Sequence, residues 1–571
     1  MNWKIVLGVI GAVLLVFFVV KQCSDQGPPD YDKIQAQKRA ANENAFQTKA
    51  AAEQIAARED AQEKAKAARV ERPAEQTAVL ESPEFRAQLT TRGGSLARLE
   101  LKDPQFVEAP RNWTTGERDK KAKYVPVNLV TTNSAAYEMF NPLRFEVSEG
   151  LDALLPDADY ALTEKTADRV VFRLDQPGLP VIITKKFEIV RGAAPYQLWL
   201  TIQVVNRGTE KVTFRAGVTQ TGYQNPADIK GGFLLFTKPP DLQTGLCSDG
   251  DKVTRYQYSS KDLPYSSLSA AFAGVNTNYF LAAMIPDAKT PATCHIYKNT
   301  AYTPVGGGDL PVITAELRFG ETSLKPGEAA VFRVKNFLGP KRYKVLERVG
   351  SRLEKSVDLG MFAPICHVLL KLLFLFQSIF RNWGVAIILL TVLVKLLLTP
   401  LQQKSFKSGE RMRALKPEVD KLNEKYKDDA QEKQKATMAL YKQHGASPLG
   451  GCLPMLIQLP IWMALYATLR TSPELYRSEF FGWIRDLSEP DPFFITPIVM
   501  GALMFVQQRI TPMTGDNMQM KMMTYVMPPL FTGMMLFLPS GLTLYILVNT
   551  VLSLTHQWIV RRQSARALAT K

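Results

Sequence analysis

Residues 384–401 read GVAIILLTVLVKLLLTPL, an apolar run long enough to cross a bilayer that carries one ammonium group, that of Lys395. A full positive charge inside a membrane helix costs about 2.5 to 3.5 kcal/mol on insertion scales, so the reading of this residue decides what kind of helix this is. Thr391, Lys395 and Thr399 stand at i, i+4 and i+8, one polar stripe on an aliphatic rod. At about 1.5 Å per residue, Lys395 lies roughly 8 Å above Pro400, within reach of the inner surface for a long side chain. Either it snorkels as an anchor, or it sits in a hydrated cavity open to the cytoplasm.

The other apolar runs bear on that choice. Residues 445–469 form a third candidate span, 492–508 a fourth, and Met522 to Val560 is free of Asp, Glu, Lys and Arg, with PSG at 539–541 dividing it into a fifth and a sixth. The sixth repeats the polar stripe in Asn549, Ser553 and Gln557, with Thr543 and Thr550 near the same face, and Gln458 adds a polar group to the third. Such stripes also serve as interhelical hydrogen bonds in a tight bundle. None of these spans contains an Asp or Glu, and an ammonium without a carboxylate is better kept in water than in a dry core. A wet cationic cavity attracts acidic or polar peptide segments.

Charge sets the expected orientation. Residues 402–448 hold 11 Lys and Arg against 7 Asp and Glu, and the tail carries Arg561, Arg562, Arg566 and Lys571 with no acid, so both belong in the cytoplasm. The loop TSPELYRSEFFGWIRDLSEPDP carries Glu474, Glu479, Asp486, Glu489 and Asp491 against Arg477 and Arg485 and belongs outside. The run MFAPICHVLLKLLFLFQSIF, 361–380, contains Pro364, His367 and Lys371 and reads as a helix lying at the interface; as a span it would move everything before it to the other side.

Upstream, an uncharged run from Ile5 to Val20 follows Trp3 and Lys4, and Val20, Lys21 and Gln22 before Cys23 offer neither a small-residue cleavage site nor a lipoprotein box. Residues 1–22 are therefore expected to be an uncleaved anchor, and 23–80, rich in Ala, Gln, Lys and Glu, a tether. From 81 to 345 the texture becomes alternating: RVVFRL, PVIITKKFEIV, YQLWLTIQVV and KVTFRAGV are strands broken by DQPG, RGAAP and NRGTE, as in a large antiparallel sandwich. Residues 346–383 read as linker and interfacial helix. Residues 402–446 form a helical hairpin, with Met412, Leu415, Val419, Leu422 and Tyr426 as its seam and KDDAQ as its turn.

Several classes drop out. The net charge of +16 sits largely beside apolar runs, where membrane orientation accounts for it, so no sequence-specific nucleic acid binding is expected. The five cysteines lack metal-ligand spacing, although Cys247 and Cys294 could pair if their domain faces an oxidising compartment. VGGGDL at 305–310 lacks the strand and helix of a phosphate loop, and no HExxH, GxSxG or Walker motif is present, so neither cofactor nor catalysis is expected.

The stretches NWGVAIILLTVLVKLLLTPL (382–401), SPLGGCLPMLIQLPIWMALY (447–466), DLSEPDPFFITPIVMG (486–501) and MPPLFTGMMLFLPSGLTLYILVNTVLSLTHQWIV (527–560) closely resemble the YidC/Oxa/Alb membrane insertase family in its Gram-negative form. The resemblance implies a polytopic α-helical membrane protein of the bacterial inner membrane, an N-terminal anchor plus a five-helix insertase core, with a large periplasmic all-β supersandwich domain and both termini in the cytoplasm. It implies membrane protein insertion and chaperoning, alone or with the Sec translocase, with nascent membrane proteins, ribosome and lipids as partners. The positive groove residue of relatives is usually Arg; the matching position here is Lys395, which keeps the charge but lacks the forked donors. A substrate-contacting aromatic of some relatives falls at Ile546, beside Tyr545. The expected groove is Lys395, Thr391, Gln458, Tyr545, Asn549, Ser553 and Gln557, and the expected partner-docking cations are Arg411, Arg413, Lys416, Arg561 and Arg562. A small-solute transporter or channel is the alternative that uses the same stripes, but it needs a path open on both sides and inverted repeats.

Overall fold

The computed structural model describes residues 72–109, 123–132, 138–224, 242–260, 262–299, 312–426, 429–444, 448–510 and 522–569. The expected anchor, the tether as far as residue 71 and the turn at 305–310 lie outside them.

The alternating segments form antiparallel sheets. Nine strands pair in the order Val253–Gln257, Thr244–Ser248, Phe272–Asn276, Phe280–Pro286, Ala329–Pro340, Gln197–Asn206, Val181–Glu188, Arg169–Leu174 and Ala161–Lys165. A second sheet runs Tyr265–Ser267, Ala292–Asn299, Val312–Phe319, Val212–Tyr223 and Thr322–Leu324, with Arg144–Glu149 added along Val212–Tyr223. Side chains from both sheets, such as Val204 and Val218, enter one core with the fully buried rings of Phe145, Phe172, Phe187 and Phe337, so the two sheets pack as a sandwich. Cys247 and Cys294 are disulfide-bonded and tie one sheet to the other.

Alternation places Val181, Ile183, Lys185 and Phe187 on the buried face of their strand, and the sequence pattern alone gives no reason for the lysine. Its ammonium donates to the carbonyls of Gly93 (3.0 Å) and Leu143 (2.8 Å), so the buried cation is hydrogen-bonded. Burial, then the charge of Arg144, push it well below the usual lysine range.

The strand Ala329–Pro340 leads into α1 (Tyr343–Val349) and then α2 (Ala363–Phe380). α2 buries Cys366, Leu369 and Leu373 and leaves Val368, Leu375, Ile379 and Phe380 exposed. Tyr343 packs on the His367 ring and the Lys344 ammonium lies 5.3 Å over the Phe374 ring, so the start of α1 touches α2 at two points. Arg381, in left-handed conformation, stops α2, and Asn382 Oδ1 accepts from the Val385 N–H to start α3 (Trp383–Ala414). α2 and the first 21 residues of α3 are each long and apolar enough to cross a membrane.

Two boundaries differ from expectation. α3 does not end at Leu401: it continues through Pro400 to Ala414 because the charged residues that follow are good helix formers, so the expected hairpin begins as an extension of the span. The hairpin itself is α4 (Lys416–Lys425) and α5 (Ala430–Gln443), where Leu415, Val419 and Tyr441 pack together and the Asp429 carboxylate caps α5 through the N–H groups of Gln431 and Glu432. α6 (Pro448–Thr471), α7 (Ile495–Ile510), a π-helical turn Met522–Val526 running into α8 (Met527–Met535), and α9 (Ser540–Ala569) complete the chain. The PSG break falls where expected, but α9 runs on through the basic segment to Ala569.

Candidate functional site

α3, α6 and α9 pack around a shared apolar cluster of Ala386, Ile387, Leu390, Ala464, Leu465, Leu542 and Leu544. Polar contacts also cross between these helices. The Lys395 ammonium on α3 donates to Ser553 Oγ at 2.5 Å and Asn549 Oδ1 at 3.4 Å on α9, and Gln458 on α6 donates to the hydroxyl of Tyr545 on α9. Tyr545, Asn549, Ser553 and Gln557 follow at four-residue spacing, so one stripe of α9 faces both neighbours.

Lys395 is only 8% exposed, and among the described residues it has no carboxylate partner. Its two acceptors are neutral. Hydrogen bonds to a charged group contribute about 1.5 to 3 kcal/mol each in favourable settings, against the 2.5 to 3.5 kcal/mol cost of a buried cation, so the pair of oxygens offsets the burial roughly but does not cancel the charge. Ser553 is held for this role: its hydroxyl donates to the Asn549 carbonyl at 2.7 Å, which turns the lone pairs toward the ammonium.

The expected residues do not all share one task. Thr391 is buried and returns its hydroxyl to the Ile387 carbonyl at 2.6 Å, and Thr399 does the same to the Lys395 carbonyl at 2.8 Å. Both are satisfied inside α3, the usual local bond of a helical threonine, so of the stripe Thr391, Lys395, Thr399 only the lysine reaches another helix through a hydrogen bond. Gln557 is buried one turn beyond Ser553. Ile546, beside Tyr545, packs on the apolar cluster instead. Of the expected docking cations, Arg562 stacks 3.9 Å over the exposed Trp558 ring, while the side chains of Arg411, Arg413, Lys416 and Arg561 lie outside the described residues.

Sequence reasoning missed a second polar joint, between the sandwich and the turn after α6. Gln105 Nε2 faces the carbonyls of Pro473, Glu474 and Tyr476, and Arg342 bonds Asp103 and Gln105. Nothing in the local sequence of Gln105 marks it, because its partners lie more than 230 residues away.

A family model described as the 60Kd inner membrane protein matches residues 375–567, and one described as the YidC periplasmic domain matches residues 77–374. A protein of Anaeromyxobacter sp. (strain K) named membrane protein insertase YidC is 36% identical over 507 residues, covering 87% of this chain and 86% of its own. One of the same name from Anaeromyxobacter sp. (strain Fw109-5) is 37% identical over 501 residues, covering 86% and 85%. Another, from Geobacter sulfurreducens, is 33% identical over 496 residues, covering 86% and 87%.

Proposed function

This chain belongs to the YidC family, and from that premise we propose that it is a membrane protein insertase and chaperone of the bacterial inner membrane whose working surface is the seam between α3, α6 and α9. The observation that carries the reading is a lysine amine inside a membrane-type helix, held by two neutral oxygens and without a carboxylate partner among the described residues.

In this reading the seam is hydrated and open to the cytoplasm and to lipid. The short hydrophilic flank of an emerging span enters it, and Lys395, Asn549, Ser553 and Gln557 receive the polar part, with Thr391, Gln458 and Tyr545 shaping the wall. Lysine attracts an acidic flank as a point charge, without the two-pronged grip of arginine. The short apolar α7 and α8 thin the bilayer beside the seam and shorten the path of the flank before the apolar part partitions into lipid. The driving terms are that partitioning and, for charged flanks, the membrane potential, worth about 2.3 kcal/mol per charge per 100 mV.

The topology proposed is six spans with both termini in the cytoplasm and the sandwich in the periplasm. Pro364, His367 and Lys371 within α2 favour an interfacial helix over a span, and the start of α1 touches α2 at His367 and Phe374. The contact of the sandwich with the acidic loop after α6 agrees. The hairpin and the basic end of α9, with Arg411, Arg413, Lys416, Arg561 and Arg562, are the proposed docking surfaces for ribosome and nascent chain, and the Sec translocase is a proposed partner for some clients.

Proteoliposomes test this. Insertion of a two-span client is expected to fall severalfold or more in Lys395→Ala and to survive in Lys395→Arg; equal insertion by Lys395→Ala would defeat the reading. Solute flux in the absence of nascent chains would point instead to a transporter.

A further inference from the structure

Four aromatic rings stand out from the loop between α6 and α7. Phe481 and Phe493 are 63% and 65% exposed, and Trp483 and Phe494 are exposed in the same two turns. Neither turn is loose. In the first, the Phe480 N–H donates to the Ile484 carbonyl at 3.0 Å and the Leu487 N–H to the Ser478 carbonyl at 2.9 Å, while Ile484 and Leu487 are buried in the apolar cluster shared with α3, α6 and α9. In the second, the Asp491 carboxylate accepts the N–H of Phe493 at 3.0 Å and the N–H and hydroxyl of Thr496 at 2.8 and 2.7 Å. Phe494 has a φ of 56°, a conformation bulky side chains rarely adopt. Fixed backbone thus holds the rings outward, and exposed apolar clusters of this kind mark an interaction surface.

Their depth follows from the helices they adjoin. The Phe480 ring lies against Gly384, in the first turn of α3, and Phe481 packs on Phe480 at a centroid distance of 4.8 Å. Phe493 and Phe494 lead directly into α7, whose exposed residues Ile495, Ile498, Val499 and Val506 recur on one face, the lipid-facing one in the six-span topology. At about 1.5 Å per residue, the 16 residues of α7 reach roughly 24 Å, less than the roughly 30 Å of a bilayer core. With the exposed Arg509 of its last turn at the inner headgroups, the outer end of α7 lies at or below the outer ones. A bilayer that thins to match still brings those headgroups to the rings.

We propose that these rings are an anchor in the outer leaflet: Phe481, Trp483, Phe493 and Phe494 sit among the glycerol groups and upper acyl chains of its phospholipids, so that the loop lies in the membrane rather than above it. Aromatic rings on a fixed backbone suit that depth. The anchor also sets the height of α9, because the N–H groups of Ser540 and Gly541 donate to the carbonyls of Glu489 and Leu487 in the same loop, at 2.7 and 3.0 Å. The inference rests on the six-span reading, which places this loop outside, but needs no client.

Spin labels on the full chain in phosphatidylcholine and phosphatidylglycerol nanodiscs test this. The chain carries Cys23→Ala, Cys366→Ala and Cys452→Ala and keeps the Cys247–Cys294 bond. Nitroxides on Phe481→Cys and Phe493→Cys are expected to show a ratio of collisions with oxygen to collisions with a soluble nickel chelate severalfold above that of Glu479→Cys, which is exposed in the same loop. A ratio at 481 or 493 no higher than at 479 overturns the inference. So does spectral broadening at 481 or 493 that dilution with unlabelled chain removes, which would put a second copy against the rings. An impermeant maleimide is expected to modify Glu479→Cys from the periplasmic side of the inner membrane; modification from the cytoplasmic side alone would overturn the topology and the leaflet assigned here, even with the rings shielded.

Discussion

Two buried bases illustrate how neighbours decide what a charge does. Lys395 is held by neutral oxygens, so replacing it by an apolar residue of similar length removes a desolvated charge without stranding a counter-ion. Lys395→Met is expected to leave thermal stability equal to or above the parent while lowering client insertion; parallel losses of both would mark the lysine as merely structural. His295 behaves otherwise. Its Nδ1 and Nε2 meet the hydroxyls of Ser266 at 2.8 Å and Thr293 at 2.9 Å, and burial, reinforced by Arg318, pushes it down to about 4. The folded sandwich therefore keeps the imidazole neutral. Its stability contribution is full above about pH 6.5 and falls as pH drops toward 4, by roughly 2 kcal/mol. Thermal melts between pH 7.5 and 4.5 check this: His295→Gln should flatten that part of the slope.

At the scale of elements, close approach matters more than propensity. A Cβ on Gly384, at the start of α3, would fall 2.0 to 2.6 Å from atoms of the Phe480 ring on the outer loop, and one on Gly501 of α7 would fall 2.0 Å from Thr532 Oγ1 on α8. These glycines let a ring and a neighbouring helix close onto the backbone. Gly384→Val is expected to destabilise by about 1 to 3 kcal/mol, read as a lower melting temperature in detergent, and Phe480→Ala in the same chain should recover part of it. The pattern of periods was legible: strands at Arg169–Leu174 and Val181–Glu188 fall within the alternating runs, Gln197–Asn206 overlaps its run to within one residue, and the break before Ser540 falls at PSG. Helix ends were less so. Nothing local stops α3 at the edge of its apolar run, since Lys, Glu, Arg and Gln continue a helix as readily as Leu begins one.

For the whole molecule, the Cys247–Cys294 bond joins the two large sheets across 47 residues. On loop-closure entropy such a bond contributes up to about 4 kcal/mol, so Cys247→Ser paired with Cys294→Ser is expected to lower the first unfolding transition of the sandwich markedly in calorimetry while leaving the helical transition in place. The sequence by itself determined the class of protein: apolar runs of bilayer length, alternating runs between them, charge asymmetry across the loops and one unpaired lysine are all local in the chain. It also marked Asn549 and Ser553, because a helix turns four-residue spacing into a face. Only the tertiary structure decided which partners those faces meet. It showed that Thr391 spends its hydroxyl on its own helix, that Lys185 fastens carbonyls inside the sandwich, and that Gln105 grips a turn hundreds of residues away. The physical reason is that a periodic pattern fixes which side of an element is buried, whereas a hydrogen bond depends on the backbone of whatever packs there.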